Sequence, residues 1–538
     1  MMSYKLLGLV SLFLTLSVQG QNIMPNRSAA VISSYMKEFN AADVELYAQD
    51  ISNAETFDFL NENIPFFECP DKELEKSYYF RWWTYRKHIK HTPEGFVITE
   101  FLPDVPWAGK HNTISCAAVH HFYEGRWLKD KHILSDYAKF WLLGGGDPRL
   151  YSCGIADAIY NYYLVHRDTA LLKDLYPSLQ ENFVNWETEK RDSSYLFWQT
   201  DDRDGMEMSV SGSLSEGGKG YRPTINSYMY GEAMALSRIA TILNQAVEAE
   251  YYYKKADELK RLINEKLWDK ESCFYKVIPK KEGEKCGFSP SRELLGYIPW
   301  LYDIPNKEYE TAWKLLFDTK AFAAAYGPTT VEQSSPGFKI SYEGHECQWN
   351  GPSWPYLTSM VLTALANYMN QNDRGIISPN DYLNLLNIYS NSQRIVTEQG
   401  DTVCWIDENL NPYTGDWISR TRLKQWNNGT WDEGKGGVER GKDYNHSSFC
   451  NLIISGLMGI RPQYDGSILV NPLVPDGDWD YFCLDNVFCC NKSITVLFDK
   501  NGTKYGKGAG FMIYVNGKCT FKHPSIQKVI IENKSSGR

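Results

Sequence analysis

Between residues 29 and 459 of this 538-residue chain, apolar residues recur at three- and four-residue steps, the spacing of one face of an α-helix, and the helices so marked come in pairs. The clearest pair is 151–166, YSCGIADAIYNYYLVH, and 169–189, TALLKDLYPSLQENFVNWETE, joined by a turn at Arg167-Asp168. Similar hairpins are read at 224–244 with 246–267, 293–302 with 308–317, and 352–368 with 379–396, and a last helix is expected at 447–458, ahead of Gly459. About a dozen helices in pairs can stack as an open solenoid or close into a ring; a solenoid carries a fixed period near ~33–47 residues, and none is found here. Irregular loops rich in Gly, Asp and Trp favour a toroid whose inner helices carry the loops of a site.

After Pro462 the pattern changes to short β-branched runs at 467–470, 493–498 and 510–515, split by Asp-Gly and Asn-Gly turns. These predict a small C-terminal β-domain over 462–538, with the helical domain over 21–461. Two unequal units also suit the length, because single cores stop growing near ~250–300 residues. Residues 1–20 read as a signal peptide: Lys5 precedes the apolar run from Leu6 to Val18, and Gly20 precedes a cut at Gln21. The run is too short to span a membrane. No Cys follows it to carry a lipid, so a secreted or periplasmic location is expected.

A net charge of −10 and a pI near 5.6 argue against a nucleic-acid partner, which needs a basic footprint. The 10 His do not cluster at metal-ligand spacing and the 12 Cys form no framework, so no metal or cofactor is implied and buried free thiols are expected. Aromatic residues make up 14% of the chain, with 17 Trp and 36 Tyr. Most must pack the core, but flat rings also stack on sugar faces.

Cutting a glycosidic bond needs two carboxyl groups, one to protonate the leaving oxygen and one to activate water or attack carbon. Three loops carry candidates. The first is Asp201-Asp202-Arg203-Asp204-Gly205-Met206-Glu207-Met208-Ser209, whose crowded acids raise one another's pKa values, although a solvated turn or calcium loop has the same density. The second, Trp405-Ile406-Asp407-Glu408-Asn409-Leu410-Asn411-Pro412-Tyr413-Thr414-Gly415, sets two carboxylates near its start. The third, Glu346-Cys347-Gln348-Trp349-Asn350-Gly351-Pro352-Ser353-Trp354, places indoles and amides at a helix start.

In this order the loops resemble the inverting glycosidases of the (α/α)6 clan that contains trehalase, processing α-glucosidase I and mannosylglycerate hydrolase. The resemblance spans about residues 70–460. It implies a mainly α fold, an (α/α)6 toroid with a small C-terminal β-domain, acting on a carbohydrate by inversion. The clan's Ser-Gly-Trp/Met-Asp-x-Ser motif, whose Asp is the general acid, aligns with Asp204 to Ser209 and puts Glu207 at the acid position. Its Trp-Arg-Gly-Pro-x-Trp sugar subsite aligns with Trp349 to Trp354, and its base Glu before Asn-Pro-x-Thr-Gly aligns with Glu408. The chain departs from the clan in having Glu207 for Asp, Asp204 for Ser and Asn350 for Arg. Glu207 and Glu408 are therefore the expected pair, with Asp204 as reserve acid. Trp107, Arg222, Asn226, Gln348, Trp349, Asn350 and Trp354 are the expected sugar contacts. Two rivals stand beside this reading. A polysaccharide lyase on a similar toroid would use a Tyr or His base, for which His111, His345 and His446 are available; a non-catalytic secreted sugar-binding protein would need the aromatics alone.

Overall fold

The computed structural model describes residues 22–371, 375–429 and 431–533, and the expected signal peptide lies outside them. The chain is mainly helical, with a few small sheets. In order the α-helices are α1 Pro25–Ala41, α2 Thr56–Asn63, α3 Lys72–Lys87, α4 Ser115–Gly125, α5 His132–Leu143 and α6 Ile155–His166. There follow α7 Thr169–Lys190, α8 Pro223–Ile242, α9 Ala246–Lys266, α10 Pro355–Gln371, α11 Pro379–Ser392 and α12 Ile418–Gly429. Three of the four expected hairpins form as α-helical pairs: α6 packs on α7, α8 on α9 and α10 on α11.

Local chemistry fixes where these helices begin. Asp168 accepts the Leu171 N–H (3.1 Å) to open α7, Pro223 occupies the first turn of α8, and Ser378 and Asp381 form a reciprocal cap ahead of α11. Two helices take their caps from a neighbour instead. Glu232, inside α8, accepts the N–H groups of Ala156 (2.6 Å) and Asp157 (3.2 Å) at the start of α6. Glu124, near the end of α4, accepts those of Phe449, Cys450 and Asn451.

Three expected α-helices differ in winding. Leu294–Tyr302, which contains Pro299, and Lys307–Phe317 are 3-10 helices, and Leu452–Leu457 within the expected last helix is a π-helix. Gly456 sits where any Cβ would lie 2.1 Å from the Tyr382 hydroxyl, so the wide turn and the ring share one space. The C-terminal strands are those expected, but their sheet begins elsewhere. Phe66–Glu68, from the N-terminal part of the chain, is its first strand and pairs antiparallel with Tyr481–Cys489; Lys492–Asp499, Gly510–Val515 and Lys518–His523 follow. Asp485 also accepts the backbone N–H groups of Ile23 (3.0 Å) and Met24 (3.2 Å). One continuous core accordingly runs from Ile32 and Trp82 through Leu365 to Phe482 and Ile513. All twelve cysteines are free thiols, seven of them buried. Among the described residues no helix is long and apolar enough to cross a membrane.

Candidate active site

A cavity of about 340 Å³ opens where several loops meet the N-terminal ends of helices. Cys116 reaches it from the first turn of α4, Glu207 from the loop ahead of α8, Trp354 from the residue before α10, and Tyr444 and His446 from the segment before the π-helix. Glu100, Phe101 and Trp107 line it beside Tyr444 and His446, and Glu408 and Arg440 complete the lining.

The acidic loop is shaped by an ion pair at its centre. Asp204 is fully buried, accepts from Arg222 Nε (2.8 Å) and from the Thr224 hydroxyl, and does not line the cavity. This anchors the loop to the start of α8. Gly205, in the left-handed region at φ +71°, then turns the chain with Cys116 Sγ 3.7 Å from where its Cβ would stand. Glu207 follows, half-buried in the cavity, with its carbonyl accepting the Trp349 N–H (3.2 Å). Burial pushes the Glu207 carboxyl up to about 8, and the negative charge of Glu408 adds to the effect.

Glu408 is buried in a different setting. Arg440 donates to its Oε1 from Nη2 (2.6 Å) and Nε (3.1 Å), and the Cys347 thiol lies 3.6 Å from Oε2. The Arg440 guanidinium is itself 4.9 Å from the Trp107 ring and 5.5 Å from that of Phe101. Trp354 is backed by Trp349, their rings parallel within 12° at 4.2 Å, and its Nε1 donates to the Gln348 carbonyl (2.7 Å). Antiparallel bridges from Ser353 to Leu410 and from Leu410 to Trp417 tie this motif to the Glu408 loop.

Of the residues expected from the sequence, the cavity brings together Glu207, Glu408, Trp107 and Trp354. The others do structural work. Asp204 is committed to its ion pair, and Arg222 to Asp204 and Ser211 Oγ (3.3 Å). Asn226 accepts the Phe197 N–H and donates to the carbonyls of Phe197 and Arg222, each at 2.8 Å. The Gln348 amide, oriented to satisfy its neighbours, donates to Ser341 O (3.3 Å) and accepts from Arg422 Nη1 (3.0 Å). Trp349 stands behind Trp354, and Asn350 lies outside the cavity lining, its carbonyl taken by the Lys339 N–H (2.8 Å).

The cavity also contains a cluster assembled from three parts of the chain. Tyr444 OH donates to Glu100 Oε1 (2.6 Å) and touches His446 Nδ1, which is 2.9 Å from the same carboxylate; His446 Nε2 is 3.7 Å from Cys116 Sγ. Burial pushes the Cys116 thiol well above its ordinary range. Glu100, Cys116 and His446 offer ligand atoms close enough together for a metal ion. Carboxylate and thiol, however, address opposite ring nitrogens of His446, so one ion bound through either nitrogen would need a neighbour to move. Glu100 and Cys116 lie more than 300 positions before Tyr444 and His446, and nothing in the sequence joins them.

A family model, the mannosylglycerate hydrolase MGH1-like glycoside hydrolase domain, matches residues 110–447, more than half of the chain. A solved structure of a sialidase is 38% identical with a TM-score of 0.86, and the match covers 94% of this chain and 45% of that one. An α-L-rhamnosidase from Dictyoglumus thermophilum, 13% identical, shares the fold at a TM-score of 0.51 over 86% of this chain and 45% of its own. An uncharacterised protein of Borreliella burgdorferi is 26% identical over 146 residues, 27% of this chain and 29% of that protein. The chain thus spans less than half the length of each of these relatives. With two carboxyl groups facing one cavity and the matching model extending over most of the helices that frame it, the chain belongs to the mannosylglycerate hydrolase MGH1-like glycoside hydrolase family.

Proposed function

We propose that the protein is a secreted or periplasmic glycosidase that cleaves an oligo- or polysaccharide with inversion, on an (α/α)6 toroid (21–461) followed by a β-domain (462–538). Glu207 is its general acid and Glu408 its general base. The observation that carries this reading is the unlike environment of two carboxyl groups in one cavity. Glu207 is without an ion-pair partner among the described residues and is pushed up to about 8, so it holds a proton at neutral pH; Glu408 pairs with Arg440. In the proposed reaction Glu207 gives its proton to the glycosidic oxygen as the C–O bond breaks. Water attacks the anomeric carbon from the opposite face, and Glu408 takes the water's proton. Trp354 and Trp107 offer ring faces to the sugar.

The substrate of this reading is a neutral sugar. The two full cations of the cavity are engaged, Arg440 with Glu408 and Lys435 with Glu346 (2.8 Å), and four carboxyl groups, Glu100, Glu207, Glu346 and Glu408, face hydroxyl donors. A sialoside or uronide would add a further negative charge there. A second reading, a lyase, is favoured by Tyr444 and His446 in the same cavity, and its unsaturated product would absorb in the ultraviolet.

Kinetics of Glu207→Gln and Glu408→Gln on a natural and an activated aryl glycoside test the assignment. Glu207→Gln is expected to lose about 10²–10⁴-fold in kcat on the natural substrate and far less on the activated one. Glu408→Gln is expected to fail on both. Wild-type rates for Glu207→Gln on the natural substrate would remove it from the acid role, and an ultraviolet-absorbing product would favour the lyase.

A further inference from the structure

The proposed hydrolysis makes no use of Glu100, Cys116, Tyr444 and His446, yet all four line the catalytic cavity. Cys116 is 4% exposed and His446 5%, so both face a solute that enters it. The cluster is held by its own contacts. His446 Nδ1 lies 2.9 Å from Glu100 Oε1, and Tyr444 OH donates to the same oxygen (2.6 Å). The rings of Tyr356 and Tyr444 stand at 70° and 66° to the imidazole, with centroids 4.5 and 4.8 Å away, and fix its plane.

A carboxylate beside Nδ1 keeps the ring proton on that nitrogen. The lone pair of Nε2 is left for another partner, and Cys116 Sγ lies 3.7 Å from it. Histidines that bind metal are arranged in this way: one ring nitrogen meets the ion, and the other donates its N–H to a carboxylate that orients the ring and raises its basicity. The separation fits as well. Zinc, with bonds of about 2.3 Å to sulfur and about 2.0–2.1 Å to nitrogen at tetrahedral angles, sets two such ligand atoms roughly 3.5 Å apart. The ligand atoms of Glu100, Cys116 and His446 all lie within 4.8 Å of one another. A neighbour has to move only if Glu100 is to be a ligand too; as the partner of Nδ1 it stays in place.

Charge also favours a cation. Four carboxyl groups line the cavity, and its two full cations, Arg440 and Lys435, are engaged with Glu408 and Glu346. Cys116 stands in the first turn of α4, where the helix dipole favours the thiolate that an ion needs. Binding replaces the S–H bond by a metal–sulfur bond and releases the proton to water.

We propose that Cys116 and His446 bind a zinc ion at the wall of the catalytic cavity, with Glu100 as the partner that orients His446. The remaining positions of the ion face the cavity, where water or sugar hydroxyls fill them. The site does not depend on the assignment of Glu207 and Glu408.

Titration of the chelator-treated whole protein with zinc, in competition with a chromophoric chelator, and absorption spectra of the cobalt-loaded protein test the proposal. Neither uses a glycoside, so a failure here leaves the acid and base assignment standing. One zinc per chain and a thiolate-to-cobalt charge-transfer band in the near ultraviolet are expected. Cys116→Ser, nearly isosteric, should abolish the band. His446→Gln should weaken zinc binding about 100-fold or more, and Glu100→Gln about tenfold. Cys490→Ser, whose thiol contacts the Leu164 carbonyl (3.3 Å) and does not line the cavity, should bind like wild type. If His446→Gln misfolds, Cys116→Ser decides the matter. Absence of saturable zinc binding in wild type, a cobalt band that survives Cys116→Ser, or loss of the ion in Cys490→Ser would each overturn the proposal.

Discussion

Asp204 and Glu207 stand in one acidic loop, and burial assigns them opposite work. Asp204 meets Arg222 and becomes an anchor, whereas Glu207 is desolvated without a cation and keeps its proton. If Glu207 must be protonated to act, kcat/KM is retained below its raised pKa and falls as pH rises through about 8. A pH profile of wild type should show this alkaline limb, and Glu207→Gln should lose it; the same limb in the variant would assign it to another group. That Glu207, Glu408 and Trp354 share one cavity was legible because each lies in a short contiguous motif. Arg222 and Asn226 were misread because polar residues at a helix start serve equally well as ligand or as anchor, and only burial separates the two. The Glu100, Tyr444, His446 and Cys116 cluster was unreadable for another reason: it forms only when distant loops close around the cavity.

At the scale of elements, long helices with apolar faces and caps were readable, and the windings were not. Over the nine residues of Leu294–Tyr302 a repeat of three and one of 3.6 diverge too little to distinguish, and Pro299 removes a donor without showing which ladder survives. Caps supplied from outside are equally silent in sequence. Glu232 caps α6 from within α8, and burial raises its carboxyl from 4.5 to about 8. The folded protein thus holds this proton more tightly than the unfolded chain. The resulting stabilisation is complete below pH 4.5 and is lost as pH climbs through about 8. Glu232→Gln keeps the accepting oxygen and cannot ionise. Its stability relative to wild type should therefore rise across that window in denaturant titrations at several pH values; a constant difference would show that Glu232 does not titrate there.

For the molecule as a whole, the change of pattern at Pro462 marked the start of the strands but not their first partner. A three-residue strand such as Phe66–Glu68 has no periodicity to read, and it completes a sheet formed more than 400 residues later. Removing residues 463–538 would strip Phe66–Glu68 of its partner strand and uncover the part of the core around Phe482 and Ile513. The fragment is expected to be poorly soluble and to elute as aggregate in size-exclusion chromatography; a soluble, active fragment would show that the helical part stands alone. The central claim, that Glu207 and Glu408 act across the sugar on a water between them, is a claim about the product. Inversion needs the two carboxyl groups roughly 6.5–9.5 Å apart, and retention roughly 5–5.5 Å. Proton NMR of the first product formed from a glycoside of known anomeric form, read before mutarotation, tests it most directly. The account predicts the opposite anomer from the substrate, and release of the same anomer would contradict it.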